Sequence, residues 1–307
     1  MPDAFTEIRL SVVIPTYNRL DTLQAVLRGL NHQTLSPVTF EVILVDSLSD
    51  DGTEEMVKRF KPNFQFRYIR QENKGRSGAR NRGIQEAAGD TVLFIDSDIV
   101  PENNFLEEHL KFHQKNKNAA AIGWESRIDS LADLEKARAN PERRFKIHSK
   151  HRKHLTWLYF LTGNASAPRA KLLEVGGFDE NFQGYGYEDL ELGYRLEKAG
   201  LRLFYLPEAI NYHVHPRSLD DQVDVMRKAG RNAVRFYRKH NDWRIRWLLG
   251  MSPLAFLWHG ILEKMPWILP RLPRGIVTQY HYLLGVKEVW TGTEVKWVNF
   301  RKSHPKE

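Results

Sequence analysis

Apolar residues in the first hundred positions fall into short, nearly continuous runs at 10–15, 40–46, 64–70 and 92–95. Runs of this length, rich in Val, Ile and Phe, predict strands covered on both faces. Between them, residues 21–32, 52–60 and 78–88 predict helices, with Asp51-Gly52-Thr53 as a turn and helix start. Such β-α-β-α alternation implies an α/β fold of the doubly wound, Rossmann-like kind, a mostly parallel sheet with helices on both faces.

Ligands of such sheets bind beyond the carboxyl ends of the strands. Those ends here carry Thr16-Tyr17-Asn18-Arg19, Asp46-Ser47 and Asp96-Ser97-Asp98, three polar clusters on one edge, as a nucleotide site requires. Asp96 and Asp98 follow a buried strand one residue apart, and paired carboxylates repel unless a cation lies between them. Hard oxygen ligands suit Mg²⁺ or Mn²⁺ carrying a diphosphate. A solvated loop before Pro101 is the plain alternative for this pair, a loop cap for Asp46, and an exposed basic helix face for Arg80, Asn81 and Arg82.

Four blocks, Ser11 to Arg19, Val45 to Thr53, Asn73 to Gly83 and Asp96-Ser97-Asp98, resemble in order the signatures of family 2 glycosyltransferases with the GT-A fold. The resemblance implies a nucleotide-sugar-binding half at 1–100 and an acceptor-side half at 101–216. It places Pro15, Thr16 and Tyr17 beside the nucleoside, with Arg19 and Ser97 in the same donor site, and Asp46 facing the base. Arg80 would lie near the nucleotide, and Asp96 with Asp98 at the metal and ribose-diphosphate. Ser47 and Leu48 depart from the family's usual acid and small residue, which weakens the reading of the base more than that of the metal.

The second half opens with a short strand at 161–166, whose Gly163 and Asn164 permit close approach of an acceptor. Helix-like 171–175 follows, then a segment with four glycines (176, 177, 184, 186) among aromatic residues. This predicts a loop of unusual backbone angles in which rings such as Tyr185 and Tyr187 stack on a sugar. Glu188-Asp189 opens a helix running to about 199, where acids also serve as plain caps. Residues 176–196 are similar to the acceptor-side segment of family 2 enzymes and to the β-1,4-galactosyltransferase C-terminal region. That similarity implies Asp189 as general base of an inverting transfer, with Glu188 holding the acceptor or the loop. The strand at 201–205 leads to His213 and His215, two apart. Related metal-dependent enzymes imply a ligand there, His213 first and His215 as the alternative, and an imidazole beside carboxylate tilts the choice toward Mn²⁺ without excluding Mg²⁺.

Charge changes the picture only in the tail. Residues 217–307 hold 17 Lys and Arg against 8 Asp and Glu, and residues 1–216 hold 29 against 30, so the net +8 belongs to the tail. There Ser218 and Asp221 form a capping box before a helical repeat. Beyond it Trp243, Trp247, Trp258 and Trp267 stand among aliphatic and basic residues. The nearly charge-free stretch 247–262 is shorter than the roughly 18–20 residues of a span and is interrupted by Pro253. A helical extension that lies on an anionic membrane, packs on the catalytic domain or forms a homodimer contact fits this pattern. A basic cluster at 143–153 suits an anionic headgroup or a mobile loop. There are no cysteines, which excludes disulfides and thiolate metal sites, and 1–9 shows no secretory pattern. The expected location is cytoplasmic, peripheral on the inner membrane face. No nucleic-acid module accompanies the charge, and a glycoside hydrolase needs no nucleotide site. The reading is a metal-dependent inverting transferase using a nucleotide-sugar donor of the UDP series and a hydroxyl of a glycan or lipid-linked acceptor. Its rival is an inactive glycan-binding or scaffold protein on the same fold.

Overall fold

The computed structural model describes residues 8–140, 155–214 and 218–291. The chain forms two compact units, Met1–Gln183 with Glu188–Pro216, and Gly184–Tyr187 with Arg217–Glu307.

The first unit is built on β1 (Leu10–Thr16), β2 (Phe40–Asp46), β3 (Gln65–Arg70), β4 (Thr91–Phe94), β5 (Ile99–Pro101), β6 (Ala119–Ile128), β7 (Ala165–Pro168) and β8 (Arg202–Val214). They make one sheet in the order β3-β2-β1-β4-β7-β6-β8-β5. The β1–β2, β1–β4, β2–β3 and β6–β8 pairs are parallel, and β7 joins β4 and β6 antiparallel. Its helices are α1 (Leu20–Asn31), α2 (Thr53–Arg59), α3 (Gly75–Glu86), α4 (Phe105–Lys115), α5 (Leu134–Ala139), α6 (Arg169–Glu174) and α7 (Glu188–Lys198).

The continuous apolar runs are explained by two cores, one on each face. Val12 and Ile14 of β1 pack with Leu23, Val26, Leu27 and Leu30 of α1, while the intervening Val13 joins Ile84 of α3 and Leu192 and Leu196 of α7. Each such aliphatic side chain stabilises by roughly 1.5–3 kcal/mol on burial. Gly83 lets α3 lie directly on β1, since a Cβ there would stand 2.2 Å from Val13 Cγ1.

The mostly parallel sheet with helices on both faces agrees with expectation, and so do the helix starts at Thr53 and Glu188. Three boundaries differ: the strand expected at 161–166 is β7 at Ala165–Pro168, so Gly163 and Asn164 precede it. α3 begins at Gly75, whose positive φ of 73° turns the chain into the helix. β8 continues from the expected 201–205 strand to Val214, because it pairs with β6 along nearly its whole length and with β5 at its end. The stretch β5-α4-β6 had no sequence expectation.

The second unit contains α8 (Leu219–His240), α9 (Trp243–Leu248), α10 (Pro253–Glu263) and α11 (Arg274–Thr291). Asp221 N–H donates to Ser218 Oγ and Ser218 N–H to Asp221 Oδ2, the expected capping box. α8 and α11 cross at two glycines: a Cβ on Gly230 would lie 2.0 Å from the Tyr282 carbonyl oxygen, and one on Gly285 2.0 Å from that of Arg227. Arg231 seals the crossing with an ion pair to Glu288 at 2.8 Å. Pro253 opens α10 after the break at 249–252, and no helix among the described residues is long and apolar enough to cross a membrane.

Candidate active site

Three strand tips of the first unit meet as the parallel register demands, with Thr16 directly opposite Asp46. Ser47 N–H donates to the Thr16 carbonyl at 3.0 Å, tying β1 to β2. Pro15 and Thr16 are buried, and Thr16 Oγ1 has no hydrogen-bond partner, an orphan polar atom at the end of β1. Tyr17 and Arg19 are exposed. Asp46 is fully buried: Oδ1 accepts from Ser49 N–H (2.9 Å) and Ser49 Oγ (2.6 Å), and Oδ2 accepts from Tyr68 (2.6 Å). Burial, and then Asp46, holds the Tyr68 phenol well above its ordinary range. Asp46 therefore presents no open oxygen in this state, and a base would have to displace the Ser49 or Tyr68 contact.

The second cluster joins residues far apart in sequence. Arg80 on α3 is 1% exposed, and its guanidinium donates to Asp96 Oδ1 at 2.7 Å and to Glu188 Oε1 at 3.4 Å. Its Cζ stands 5.4 Å from the Phe178 ring centroid. Burial lowers its pKa, but Asp96, Glu188 and Asp189 together raise it further, so the cation is permanent. Asp189, half-buried beside it, is pushed up to about 7, first by burial and then by Glu188, with Arg80 pulling the other way. A carboxyl group at that position in the pH scale is suited to accept a proton near neutrality. The exposed-face alternative holds only for Arg82, which pairs with Glu86 at 2.8 Å.

The third cluster surrounds Asp98. The antiparallel β5–β8 register pairs Ile99 with His213, so the strand brings that imidazole beside Asp98, with His213 Nε2 3.5 Å from Asp98 Oδ1. On its other side His213 Nδ1 donates to Glu125 Oε1 at 2.9 Å. This fixes the tautomer and leaves Nε2 toward Asp98, the arrangement of a metal-ligating histidine held by a carboxylate. Gly163 makes room for it, because a Cβ there would lie 2.6 Å from Glu125 Oε2. Among the described residues no group of three His, Asp or Glu forms a complete cage. Asp98 and His213 instead offer a two-ligand edge, which fits an ion whose remaining positions go to water and substrate phosphates. Asp96 turns to Arg80, and Ser97 is buried between the two acids. His215 and the basic cluster at 143–153 lie outside the described residues.

Asn164 corrects an expectation. Its side chain is buried, bonded to His109 Nε2 at 2.9 Å and donating to the Ala209 carbonyl at 3.0 Å, so it is spent on the core rather than open to an acceptor. Burial holds His109 down to about 4, a neutral bridging imidazole.

The glycine loop has the unusual backbone its composition predicts: Gly176, Gly177, Gly184 and Gly186 all have φ between 67° and 93°. Asn81 clasps its start, accepting from Phe178 N–H at 2.7 Å and donating to the Phe178 carbonyl at 2.9 Å. Arg195, paired with buried Glu191 at 2.7 Å, donates to the Gly177 carbonyl at 2.6 Å. Tyr185 and Tyr187 belong to the second unit, where Asn232 donates to the carbonyls of Tyr185 and Gly186. Tyr187 has a left-handed φ of 72°, a strained angle for an aromatic residue directly before Glu188.

Glu125, Arg195 and Tyr68 were missed from sequence, and Asn81 was named only within the 73–83 block and the basic helix face. Only Glu125 had a signal, an acid closing the apolar run at 119–124 as Asp46 and Asp96 close theirs.

The profile of glycosyl transferase family 2 matches residues 11–176, and that of the N-terminal domain of galactosyltransferase matches 143–218. Validoxylamine A glucosyltransferase of Streptomyces hygroscopicus subsp. limoneus is 32% identical over 269 residues, 78% of this chain and 59% of that protein. Chondroitin synthase of Escherichia coli is 28% identical over 73% of this chain and 37% of its own length. The chain thus spans less than two thirds of these curated relatives. Among solved structures, the mannosyltransferase PcManGT from Pyrobaculum calidifontis in complex with GDP-Man and Mn²⁺ gives a TM-score of 0.60 at 20% identity, covering 93% of this chain and 88% of that one. S. aureus TarS 1-349 in complex with UDP gives 0.56 at 17% identity, covering 97% and 98%. At these identities the likeness is one of fold, the GT-A fold. The profile match over more than half the chain, with a relative above 30% identity, shows that the protein belongs to glycosyl transferase family 2.

Proposed function

We propose that this chain is an inverting glycosyltransferase that moves a sugar from a nucleotide-diphosphate donor, a UDP-sugar, to a hydroxyl of a glycan or lipid-linked acceptor. The observation that carries the reading is the buried Arg80, whose guanidinium joins Asp96 at the donor strand to Glu188 at the start of α7. One fixed cation thereby links the two halves of the chemistry, residues 1–100 for the donor and 101–216 for the acceptor. Asp189 takes the acceptor hydroxyl's proton while the new C–O bond forms on the sugar face opposite the departing diphosphate. Glu188, held by Arg80, sets the negative field that keeps Asp189 basic. Thr16, Pro15, Tyr17 and Arg19 flank the nucleoside, and Asp46 meets the base once its Ser49 or Tyr68 contact opens. Asp98 and His213 would hold Mn²⁺ or Mg²⁺, with Asp96 toward the ribose-diphosphate. A bound divalent ion supplies countercharge to the diphosphate. Relatives and neighbours named for glucosyl transfer, UDP and GDP-Man with Mn²⁺ support the class of donor.

The test is Asp189→Asn, expected to lower turnover by roughly 10²–10⁴-fold while calorimetric affinity for UDP with Mn²⁺ stays within a few-fold. Undiminished turnover would sink the base assignment, and a crippled Glu188→Gln beside an active Asp189→Asn would exchange the two. Tighter binding of GDP than of UDP would overturn the uridine preference alone.

A further inference from the structure

We propose that the second unit docks on an anionic lipid bilayer through a surface made by α9, α10 and the turn at Pro266–Arg271. α10 is apolar around most of its circumference, and its side with His259 and Glu263 packs within the unit while another is exposed. The packed side carries His259, stacked on Tyr280 at 4.6 Å, and Phe256, against Trp290 at 6.4 Å. The other side presents Leu254, Leu257, Trp258 and Ile261, spaced i, i+3, i+4, i+7 and therefore one stripe, all exposed. α9 adds Trp243 and Trp247 at i and i+4, and the turn adds Trp267. The four tryptophans are 57–67% exposed, an arrangement monomeric surfaces rarely tolerate without a partner.

Charge identifies the partner. Residues 243–274 hold five Lys and Arg and one acid, Glu263, which is engaged by Lys287 at 2.7 Å. Lys264, Arg271 and Arg274 are exposed beside the apolar residues. A second copy of this chain meeting the same surface about a two-fold axis would bring cation to cation. An anionic bilayer brings the opposite sign, and its interface favours tryptophan, whose ring has an apolar body and a polar N–H. No element here is long enough to span, so the unit lies on the surface with the stripe entering the headgroup region.

The experiment is flotation of the full chain with vesicles of phosphatidylcholine, with and without phosphatidylglycerol, at low and raised salt. The chain is expected to float with the anionic vesicles only, less at raised salt. The double variant Leu257→Asp/Trp258→Asp and the triple variant Lys264→Glu/Arg271→Glu/Arg274→Glu should each reduce partition by about 10-fold or more at unchanged Tm and UDP affinity. A wild-type chain that does not float, or variants that float equally, overturns the proposal. So does a dimer in sedimentation that the same variants dissolve, which assigns the surface to a second copy. Flotation that emerges only after deletion of 292–307 overturns it in favour of coverage by the chain's own end.

Discussion

Asp96 and Asp98 stand two residues apart at the end of one strand, yet they enter opposite kinds of neighbourhood. Asp96 faces a cation that the chain itself provides, Arg80, shared with Glu188. Asp98 faces an imidazole whose far side is held by another carboxylate, Glu125, so the two acids of this cluster meet a histidine rather than an arginine. The first cluster carries an arginine as its countercharge, whereas on the proposed function the second takes its countercharge from a divalent ion. The comparison sets a built-in cation against a proposed bound one.

Removing the built-in cation should have the largest effect. Arg80→Met leaves buried Glu188 and half-buried Asp96 without their shared countercharge, and losing one partner of a buried pair costs about 3–5 kcal/mol. Denaturant unfolding should show a lower midpoint, and turnover should fall with it. Arg80→Lys keeps the charge but not the two-armed geometry, so it should recover stability better than turnover. A stable, active Arg80→Met would erase the distinction between the clusters.

The next effect belongs to the other acid. Asp98→Ala should weaken Mn²⁺-dependent UDP binding by on the order of 100-fold, with little loss of stability, because like charge is being removed. Calorimetry with and without Mn²⁺ separates the two contributions. Affinity that is equal to wild type under both conditions would remove Asp98 from the metal site.

Smaller still is the change at the residue behind the histidine. Glu125→Gln keeps the size of the side chain but weakens its hold on His213 Nδ1, and such outer carboxylates typically contribute 10–100-fold to metal affinity. The low end, about 10-fold, is expected here because Gln can still accept one hydrogen bond. Gly163→Ala should reproduce the effect from the opposite direction, since its Cβ would push on Glu125 Oε2. Equal metal affinity in both variants would leave His213 held by something other than Glu125.

The sequence exposed these two clusters unequally. β1, β2 and β4 were legible because every residue in them is buried, which forces an uninterrupted apolar run. The acids at their tips were legible for the same reason, as polar residues that such a run cannot contain. Which acid takes which partner was not legible, because it depends on β5, only three residues long, whose pairing with β8 brings His213 to Asp98. Arg80 read as lying near the nucleotide, with one exposed basic face as the alternative for Arg80, Asn81 and Arg82. Helical geometry gives them three fates: a buried ion pair, a clasp on the glycine loop, and a surface pair. Asn164 and Gly163 both read as small residues near a ligand, but only contacts from α4 and β6 reveal that one braces the core and the other yields space to Glu125.

The smallest effect sharpens the comparison through pH. Asp189 is raised to about 7 in the folded chain from an ordinary value of 3.8, by burial first and Glu188 second, against the opposing pull of Arg80. Between those two values the native state keeps a proton that the unfolded chain has released, so stability falls as pH rises and levels off above about 7. Asp189→Asn never ionises and escapes this loss. In metal-free buffer its Tm relative to wild type should therefore climb from pH 5 to pH 8, by roughly 2–6 °C on the scale of 1–3 kcal/mol. A Tm gap for Asp189→Asn that is flat with pH would mean that Arg80 neutralises the acid pair fully, and the base would then need the bound donor to acquire its basicity.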